Sequence, residues 1–340
     1  MPADTQTLRL AIAGASSLRG RELKEMLEGG RWASSHIRLV DEDGVAGMLT
    51  EVAGEPAVVQ AAGEESFEGV RLVFFAGSPA FAARHGEAAF RAGSTVIDLS
   101  GGLANLPSAR FWIPPLTQLL GPPAPKNPKE LNLFISPTTP AIVSCCLSAA
   151  LAKLGLARLV LIFFHPVSEQ GVGGIEELES QTVKLLSLQP LVREFFDTQV
   201  AFNLLDRYGS GSSQNLSAVR DRIMFEVATY LRGRAPVPAI QLIHAPVFHG
   251  YAFSAYAEFE ASPEPTALTE ALRGTGIMFE GGSGEEQTGI SNATVAGDER
   301  VSLARPVRDA VHANGYWLWG AADNTRVSAA NAVRIAEKLL

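Results

Sequence analysis

The feature that most constrains this chain is a repeated order of short apolar strand, glycine-containing turn and helix. Leu8 to Ala13 is apolar and strand-like, the segment from Gly14 to Gly20 follows it, and residues 21–27 have helical spacing. Residues 71–75 and 95–99 are again short apolar strands that lead into glycine and serine. Strands and helices in this alternation predict a parallel sheet with helices on its faces, which is an α/β fold of the Rossmann type. Ligands of such sheets bind at the carboxyl ends of the strands.

The second part of the sequence has a different pattern of strands, loops and helices. Residues 159–164 are strongly strand-like, residues 171–174 are a glycine-rich loop, and residues 175–186 and 218–231 have helical spacing. Residues 237–256 have the pattern of strands in an antiparallel sheet. At roughly 150 residues per domain, a chain of 340 residues corresponds to about two domains. We therefore predict an α/β domain followed by an α+β domain.

Composition and charge exclude several classes of protein. Apolar residues make up 46% of the chain and charged residues 19%, which is typical of a globular protein and not of a disordered one. The net charge is −8 and no basic run occurs, so we expect neither nucleic acid nor a membrane surface as a partner. The two cysteines, Cys145 and Cys146, are adjacent, which disfavours a disulfide, and no apolar run approaches the ~20 residues that span a bilayer. These features predict a cytoplasmic protein, and the sequence predicts no metal site.

The turn between Gly14 and Gly20 is a candidate phosphate site. Backbone N–H groups at a helix N-terminus point at a bound anion, and the helix dipole favours negative charge there. Gly14 and Gly20 stand where the first and third glycines of a dinucleotide loop would be, whereas Ser17 places a side chain at the middle position, which crowds the closest approach of a pyrophosphate. Ser16 and Leu18 complete this candidate site. The alternative is a strand-to-helix turn that binds no ligand.

An acidic cluster follows the second predicted strand. In dinucleotide folds an acidic residue about 20 positions further along accepts a hydrogen bond from the ribose 2′-hydroxyl. Asp41 has this place, with Glu42 and Asp43 after it, and three carboxylates would repel a 2′-phosphate. If a dinucleotide binds, NAD is therefore favoured over NADP, and the alternative is a solvated acidic turn. The other candidate cofactor contacts at strand ends are Gly77, Ser78, Ser100 and Gly101.

Several segments together resemble the aspartate-β-semialdehyde dehydrogenase family, which belongs to the same superfamily as N-acetylglutamyl-phosphate reductase. The resemblance is spread over almost the whole chain, and its last two blocks are the specific ones. The segments that carry it are Gly14–Gly20, Phe75–Ser78, Val96–Ser100, Val167–Leu178, and Leu318–Arg326 with Ala329–Val333.

The resemblance implies a fold, a reaction and an assembly. It implies a dinucleotide-binding domain at residues 1–140, completed by a C-terminal helix at residues 323–340, and an α+β substrate and dimerisation domain at residues 141–322. Members of the family attack an aldehyde with a cysteine thiolate, pass hydride to NADP and release the acyl group to phosphate, with a histidine as general base. A homodimer and a small-molecule ligand in the cleft between the domains are expected on the same ground.

The family's nucleophile position holds threonine in this chain. The family cysteine follows an Asn-Pro-Asn segment at a helix N-terminus, and the matching segment here is Ser136–Pro140, with Thr139 at the nucleophile position. A threonine hydroxyl is a poor nucleophile without a strong adjacent base, and Thr139 is also explained as a helix N-cap before Pro140. Cys145 and Cys146 follow further along the helix and have the surroundings of small buried hydrophobes.

The family's histidine position holds tyrosine. Within the segment from Ala245 to Tyr251, the base position is Tyr251, and an ordinary phenol pKa near 10 makes tyrosine a poor base at neutral pH. His249 lies two residues earlier, and on a strand its side chain would share a face with that of Tyr251. His249 is thus either a substitute base or a strand histidine without a role in chemistry.

The phosphate-binding positions of the family are replaced as well. The arginine that binds inorganic phosphate corresponds to Ala104, and the serine and arginine that hold the NADP phosphate correspond to Glu42 and Gly44. A carboxylate beside a phosphate reverses the sign of the interaction.

Other family positions are retained. Glu226 corresponds to a carboxylate that holds the substrate amino group, and Arg222 precedes it by one helical turn, so that a structural ion pair is the alternative. Gln170 lies in the segment that lines the family active site. Asn324 corresponds to a residue beside the nicotinamide.

With the nucleophile, the base and both phosphate positions replaced, the sequence predicts a family member without aspartate-semialdehyde dehydrogenase activity. It resembles the Usg-type paralogues, and NAD remains its candidate cofactor. Two alternatives stay open. The first is an active NAD(P)-dependent semialdehyde oxidoreductase of amino-acid biosynthesis with altered residues, and the second is a non-catalytic dimer partner of a true dehydrogenase.

Overall fold

The computed structural model describes residues 8–123, 131–279 and 289–340. The chain divides into two compact units. The first unit contains residues up to Pro114, the segment from Pro122 to Pro137, and Ser328–Leu340. The second unit contains Pro115–Gly121 and Thr138–Val327.

The strands are numbered along the chain. They are β1 (Arg9–Ala13), β2 (His36–Asp41), β3 (Leu49–Val52), β4 (Glu55–Val58), β5 (Gln60–Ala61), β6 (Leu72–Phe75), β7 (Thr95–Asp98), β8 (Arg110–Phe111), β9 (Leu133–Ile135), β10 (Leu156–His165), β11 (Ala239–His244), β12 (Tyr251–Phe259), β13 (Ile277–Phe279), β14 (Val301–Leu303), β15 (Val307–Arg308) and β16 (Gly315–Ala322).

The helices are numbered in the same way. They are α1 (Leu18–Leu27), α2 (Pro79–Arg91), α3 (Thr117–Leu120), α4 (Thr139–Leu151), α5 (Gly171–Leu186), α6 (Leu216–Leu231), α7 (Pro265–Leu272) and α8 (Arg326–Leu339). In the described part of the chain, none of them has the length and apolarity that crossing a membrane requires.

The first unit contains a parallel sheet with helices, which confirms the predicted fold class. Its strand order is β5-β2-β1-β6-β7-β9-β8, and neighbours pair in parallel. Strands β1, β6 and β7 are buried along nearly their whole length, as expected for a parallel sheet that is covered on both faces. The strand order reverses between β1 and β6, and the carboxyl ends of these two strands are where doubly wound sheets bind ligands.

Helix α8 covers part of this sheet. Ala332, Ile335 and Ala336 project from α8 into a core that includes Ile12 of β1 and Phe74 of β6. These side chains are fully buried, and each of the larger ones contributes about 1.5–3 kcal/mol of transfer free energy. The C-terminal segment of the chain is therefore part of the hydrophobic core of the first unit.

The second unit contains a mixed sheet, as predicted for an α+β region, in the order β11-β10-β12-β16-β14-β13. The prediction of an antiparallel sheet over residues 237–256 is wrong for β11. Strand β11 pairs in parallel with β10, whereas β12 pairs with β10 in antiparallel orientation. The reason lies in the connection after β11. Backbone N–H groups of Ala245, Val167 and Ser168 bond the segment 245–248 to the segment just beyond β10, so the chain crosses the end of β10 before it turns back.

The two faces of this sheet differ. Buried and partly exposed side chains alternate along β12, and the outward side chains Trp317 and Trp319 of β16 are 48% and 40% exposed. The ring of Trp319 lies 6.2 Å from that of Phe164, and the ring of Trp317 lies 4.8 Å from that of Tyr256. We call these four side chains the aromatic face. In the second unit taken by itself, this face is open to solvent.

The glycine-rich segment 171–174 is helical, and the predicted loop is therefore wrong. Helix α5 begins at Gly171, which has a φ of +74°, a backbone conformation that only glycine adopts easily. A Cβ on Gly174 would lie 2.5 Å from the carbonyl oxygen of Val167. Gly171 is therefore suited to its positive φ, and Gly174 allows the helix start to pack closely against the preceding turn.

Candidate functional site: a glycine turn and a buried polar cluster

The segment from Gly14 to Gly20 forms a tight turn between β1 and α1. Gly14 has a φ of +89°, and a Cβ on it would lie 2.2 Å from the backbone nitrogen of Gly77. A Cβ on Gly20 would lie 2.3 Å from the carbonyl oxygen of Gly14. Glycine at position 14 is therefore required for the approach of this turn to the one after β6, and glycine at position 20 is required for the close packing of the start of α1 on the turn itself.

Ser17 is the N-cap residue of α1. Its hydroxyl oxygen accepts a hydrogen bond from the Gly20 N–H at 2.9 Å, and the hydroxyl lies 2.8 Å from the carbonyl oxygen of Gly14 and 2.9 Å from that of Ala76. The Ser17 hydroxyl is thus bonded to the backbone of the two turns. Leu18, the first helical residue, carries one of the N–H groups that have no intrahelical acceptor.

Asp41 ends β2, and its side chain bonds to the same turn. Its Oδ2 accepts from the Ser16 backbone N–H at 2.7 Å and from the Ser16 hydroxyl at 2.6 Å, and Asp41 is only 6% exposed. Glu42 next to it forms an exposed ion pair with Arg84, with 2.9 Å between Oε2 and Nη1. A carboxylate thus stands beside the glycine turn, where the sequence predicted a partner for a ribose hydroxyl.

The turns after β6 and β7 also use their polar groups internally. The Ser78 hydroxyl accepts from the Phe81 N–H and caps α2. The buried Asp98 carboxylate accepts from the backbone N–H groups of Ser100 and Gly101, and from the Ser100 hydroxyl at 2.6 Å. The hydroxyls of both serines are therefore used to shape the turns at the strand ends.

In the second unit, a buried polar cluster surrounds the start of α4. The N-cap residue is Thr138, so the expectation that Thr139 is the N-cap is wrong by one position. The reason is that the Glu226 carboxylate, from α6, makes the capping hydrogen bonds. Its Oε2 accepts from the Thr138 N–H at 2.8 Å and from the Thr138 hydroxyl at 2.7 Å. Thr139 is 2% exposed, and its hydroxyl donates to the backbone oxygen of Asn324 at 2.8 Å.

The predicted Arg222–Glu226 pair is present on α6. The Nε atom of Arg222 donates to Glu226 Oε1 at 3.0 Å, and the Glu226 side chain is fully buried. With Thr138 on the other oxygen, both carboxylate oxygens have partners. The Nη2 atom of Arg222 is buried and has no hydrogen-bond partner among the described residues, so it is a donor that a ligand oxygen could use.

Asn324 links several parts of this cluster. Its side-chain oxygen accepts from the Gly250 N–H at 2.9 Å and from the Ser168 hydroxyl at 3.3 Å. Its side-chain nitrogen donates to Glu169 Oε1 at 2.9 Å. Together with its backbone bond to Thr139, Asn324 holds the start of α4, the turn before α5 and the start of β12 to the end of β16.

His165, at the end of β10, is a site residue that the sequence reasoning missed. It is fully buried, its Nδ1 lies 2.8 Å from the Tyr251 hydroxyl, and its Nε2 lies 3.3 Å from the side-chain nitrogen of Gln170. His165 therefore joins two predicted site residues that are far apart in sequence. The available signal was a histidine at the end of a long apolar strand, followed directly by proline.

A second buried histidine lies next to His165 in the sheet. His165 and His244 are register partners at the ends of β10 and β11. Burial lowers the pKa of His165 to about 3, with a further contribution from His244, and burial lowers the pKa of His244 to about 4. The His244 ring lies 3.4 Å from the Tyr208 hydroxyl and 3.3 Å from the Val200 carbonyl oxygen. Both imidazoles are therefore neutral near pH 7.

His249 does not share a strand face with Tyr251. It lies in the bend before β12 and is exposed, whereas Tyr251 is 1% exposed. The prediction of a shared face is wrong because Gly250, with a φ of +78°, turns the backbone between the two residues. The period of two that relates side chains on a strand does not extend across such a turn.

The two cysteines lie in the interior of α4 and are not in a disulfide. Burial raises the pKa of the Cys145 thiol well above its ordinary value, with smaller contributions from Cys146 and Glu226. The Cys146 thiol donates to the Thr275 carbonyl oxygen at 3.1 Å. These are the surroundings of inert structural thiols. Across the described residues, no group of three or more His, Cys, Asp and Glu side chains could hold a metal ion.

The predicted site residues thus fall into two sets. The glycine turn, Ser16 and Asp41 come together in the first unit. In the second unit, hydrogen bonds form three groups that adjoin one another along the chain: Arg222 with Glu226 and Thr138, Thr139 with Asn324, and Gln170 with His165 and Tyr251. These groups make up the buried polar cluster, and His249 stands apart from it. The members of the cluster are Thr138, Thr139, His165, Gln170, Arg222, Glu226, Tyr251 and Asn324.

Comparison with known proteins gives consistent relatives. Residues 9–118 match the family described as semialdehyde dehydrogenase, NAD binding domain. A USG-1 protein homolog of Pseudomonas aeruginosa is 31% identical over 339 residues, covering 99% of this chain and 98% of the relative. Aspartate-semialdehyde dehydrogenase 2 of Vibrio cholerae is 26% identical over 340 residues, covering 99% and 98%. The structure of a probable aspartate-semialdehyde dehydrogenase from Pseudomonas aeruginosa superposes with a TM-score of 0.84 at 30% identity, covering 98% of each chain.

Proposed function

The chain belongs to the aspartate-semialdehyde dehydrogenase family, and on that premise we propose that it is a member that binds NAD and has lost the thiolate chemistry of the dehydrogenases. The observation that carries the proposal is the state of Thr139. Its hydroxyl, at the nucleophile position, donates to the backbone carbonyl of Asn324. A carbonyl oxygen accepts a hydrogen bond but does not remove the proton, so this contact does not activate the hydroxyl as a nucleophile.

The cysteines support the loss of thiolate chemistry. A thiol has to ionise before it attacks an aldehyde, and burial raises the pKa of Cys145. The Cys146 thiol donates to a backbone carbonyl inside the second unit. Neither thiol has the exposed, electropositive surroundings that lower a thiol pKa.

The base position supports the same proposal. Tyr251 is a phenol that is bonded to a neutral imidazole, and His249 is exposed in a bend outside the cluster. The alternative of an active oxidoreductase that uses His249 as its base therefore has little support from the geometry.

The polar cluster also supports a change of ligand. In the family, the carboxylate at the position of Glu226 holds a substrate amino group, but here both of its oxygens have internal donors and its side chain is fully buried. The buried Nη2 atom of Arg222, by contrast, has no acceptor in the described residues. We propose that a ligand of this cluster offers acceptor oxygens and does not need an ammonium group.

The choice of NAD over NADP rests on Asp41. An NAD-binding domain is present in the first unit. The glycine turn would hold the pyrophosphate at the start of α1. The Ser17 hydroxyl would not occupy that place, because it bonds to the turn's own backbone. Asp41 would repel a 2′-phosphate by its charge, while its two oxygens accept internal hydrogen bonds from Ser16 and from the Glu42 N–H. The cofactor would supply hydride transfer, and the residues named here would only bind and orient it.

The aromatic face supports a homodimer. Large apolar surfaces on one side of a sheet mark interaction sites, and aromatic residues are enriched at the centres of protein interfaces. We propose that a second copy of the chain covers this face. The same observation favours the second candidate function, in which the chain is the non-catalytic dimer partner of a true dehydrogenase. We also propose a cytoplasmic location, from the cysteine content and the family's reaction.

The decisive experiment is an assay of aspartate β-semialdehyde oxidation with phosphate, which follows NADH and NADPH formation beside an active dehydrogenase of the family. Loss of a general base alone costs 10²–10⁴-fold, so we expect no turnover within about 100-fold of the active enzyme. A rate inside that window with either cofactor would overturn the proposal. Calorimetric titration with NAD⁺ and NADP⁺ tests the cofactor, and NAD⁺ should bind more tightly.

Light scattering tests the assembly, with Trp317→Ser as the variant and Leu188→Ser, at a 95% exposed position off the aromatic face, as its control. A dimeric parent that the Trp317 change dissociates supports the homodimer. Co-purification of a family dehydrogenase with the parent, but not with the Trp317 variant, supports the mixed dimer.

A further inference from the structure

Asn314 and Gly315 form the only Asn-Gly pair of the sequence, and the pair lies where the turn after β15 enters β16. Asparagine is among the thermolabile residues of proteins, because its side-chain amide can be lost by deamidation. The backbone nitrogen of the next residue carries out this reaction. Glycine at that place permits the reaction best, since it has no side chain that shields the nitrogen or restricts the backbone. The pair therefore has a high intrinsic reactivity.

The packing of the sheet requires glycine at position 315. A Cβ on Gly315 would overlap the hydroxyl oxygen of Tyr256, a member of the aromatic face. Gly315 is also the register partner of Glu258 in the ladder between β12 and β16. Because no larger residue fits beside Tyr256, a bulkier neighbour that would slow the reaction of Asn314 is excluded.

Asn314 bonds to both backbone groups of Phe259, the last residue of β12. Its backbone oxygen accepts from the Phe259 N–H at 3.0 Å, and its side-chain nitrogen donates to the Phe259 carbonyl oxygen at 2.7 Å. Phe259 is 1% exposed. The amide of Asn314 therefore supplies the donor that closes the end of the β12–β16 ladder.

The fold holds both reacting groups in hydrogen bonds. Deamidation begins when the Gly315 nitrogen attacks the side-chain carbonyl carbon of Asn314. In the folded chain, the Gly315 N–H donates to the His312 carbonyl oxygen at 2.8 Å, and the amide nitrogen that has to leave is bonded to Phe259. Both hydrogen bonds have to break first, so the reaction should proceed from molecules in which this turn has opened locally.

We propose that Asn314 is a site of spontaneous deamidation that the fold restrains, and that its conversion releases the end of β12 from the start of β16. The Gly315 nitrogen forms a bond to the side-chain carbonyl carbon of Asn314, and the carbon–nitrogen bond of the side-chain amide breaks. The hydrogen of the Gly315 nitrogen leaves with the amide nitrogen as ammonia. Water then opens the cyclic imide and gives aspartate or isoaspartate.

The release follows from the chemistry of the product. A carboxylate has no hydrogen to donate, so a carboxylate oxygen would face the Phe259 carbonyl oxygen without a hydrogen between them. Isoaspartate also lengthens the backbone at the first residue pair of β16 and shifts its register. The inference is independent of the proposed function, because it involves no ligand of the protein.

The first test follows the modification in the intact chain. The parent is incubated in ¹⁸O-water at mildly alkaline pH, with and without guanidinium chloride, and mass spectrometry of peptides measures the label that enters at each asparagine. Asn292 is the matched control, because its side-chain nitrogen also donates to a backbone carbonyl, that of His249, but alanine follows it.

In guanidinium chloride, label should enter at Asn314 well before it enters at Asn292. Without denaturant, entry at Asn314 should be at least about tenfold slower than in denaturant, the effect of breaking one or two hydrogen bonds. Equal entry at the two asparagines in denaturant would overturn Asn314 as the site. Equal rates at Asn314 with and without denaturant would overturn the restraint by the fold.

The second test measures the release of β12. Hydrogen exchange at the Phe259 amide is compared in the parent, Asn314→Asp and Asn292→Asp, and it should be about tenfold faster in Asn314→Asp alone. The aged parent, separated from unmodified protein by its added negative charge, gives the same measurement without a substitution. An exchange rate at Phe259 that equals that of the unmodified protein in this aged fraction would overturn the release.

Discussion

The two buried histidines of the second unit predict an acid-sensitive fold. A buried histidine whose pKa is lowered in the folded chain binds fewer protons than it does in the unfolded chain, so its protonation favours unfolding. The stabilising effect of the neutral ring is complete above the unfolded-state pKa of 6.5. It decreases as the pH falls below 6.5 and is fully lost only below the folded-state pKa, about 3 for His165 and about 4 for His244.

The magnitude is best worked at pH 5. There the unfolded-state value lies about 1.5 pH units higher, and each unit corresponds to about 1.36 kcal/mol, so each histidine lowers the free energy of unfolding by about 2 kcal/mol. The folded-state values lie below pH 5 and have little effect on the result. The pair together accounts for about 4 kcal/mol, which is a large part of the 5–15 kcal/mol of a typical domain.

Urea titrations of the parent, His165→Asn and His244→Asn at pH 7 and pH 5, followed by tryptophan fluorescence, measure this effect. Both variants should be less stable than the parent at pH 7, but each should lose about 2 kcal/mol less than the parent between the two pH values. The exposed His249→Asn should follow the parent. If His165→Asn and the parent lose the same free energy between pH 7 and pH 5, the argument from burial is refuted.

Three further predictions follow from single contacts. Glu226→Gln should lower the free energy of unfolding, measured by urea titration, by about 3 kcal/mol, because it weakens a buried ion pair and the cap of α4. In the same assay, the control Glu270→Gln, in an exposed pair, should lower it by at most about 1 kcal/mol. Gly14→Ala should abolish NAD⁺ binding in calorimetry and destabilise the first unit, and Gly29→Ala, where a Cβ meets nothing within 4 Å, should leave binding unchanged. Asp41→Asn should raise NADP⁺ affinity relative to NAD⁺ by about tenfold, and an unchanged ratio would remove Asp41 as the selector.

The fold could be predicted because its signals are local. The apolar runs around β1, β6 and β7, each followed by glycine, indicate buried parallel strands without any knowledge of their neighbours. The pairing of β11 could not be read in this way. A strand has the same sequence pattern whether it lies parallel or antiparallel to its neighbour. Here the orientation of β11 depends on the segment after it, which forms hydrogen bonds with the residues that follow β10.

The candidate site was predictable in part. The resemblance gave the positions of Thr139, Tyr251 and Asn324, and the helix period gave the Arg222–Glu226 pair. His165 was missed because its role depends on three strand ends that meet only in the folded sheet. His249 was a candidate base because it lies close to the base position in sequence, but Gly250, with its positive φ, separates its side chain from that of Tyr251.

The long sequence separation between Asn324 and its partners has a consequence for synthesis on the ribosome. Its partners precede it by 74 to 185 residues, and β16, the strand that ends just before it, lies between β12 and β14. The polar cluster can therefore not close until Asn324 itself has been translated. Helix α8, which follows, completes the core of the first unit equally late. Until then the nascent chain exposes apolar sheet surface, so it should depend on chaperones during translation more than a protein whose domains close in order.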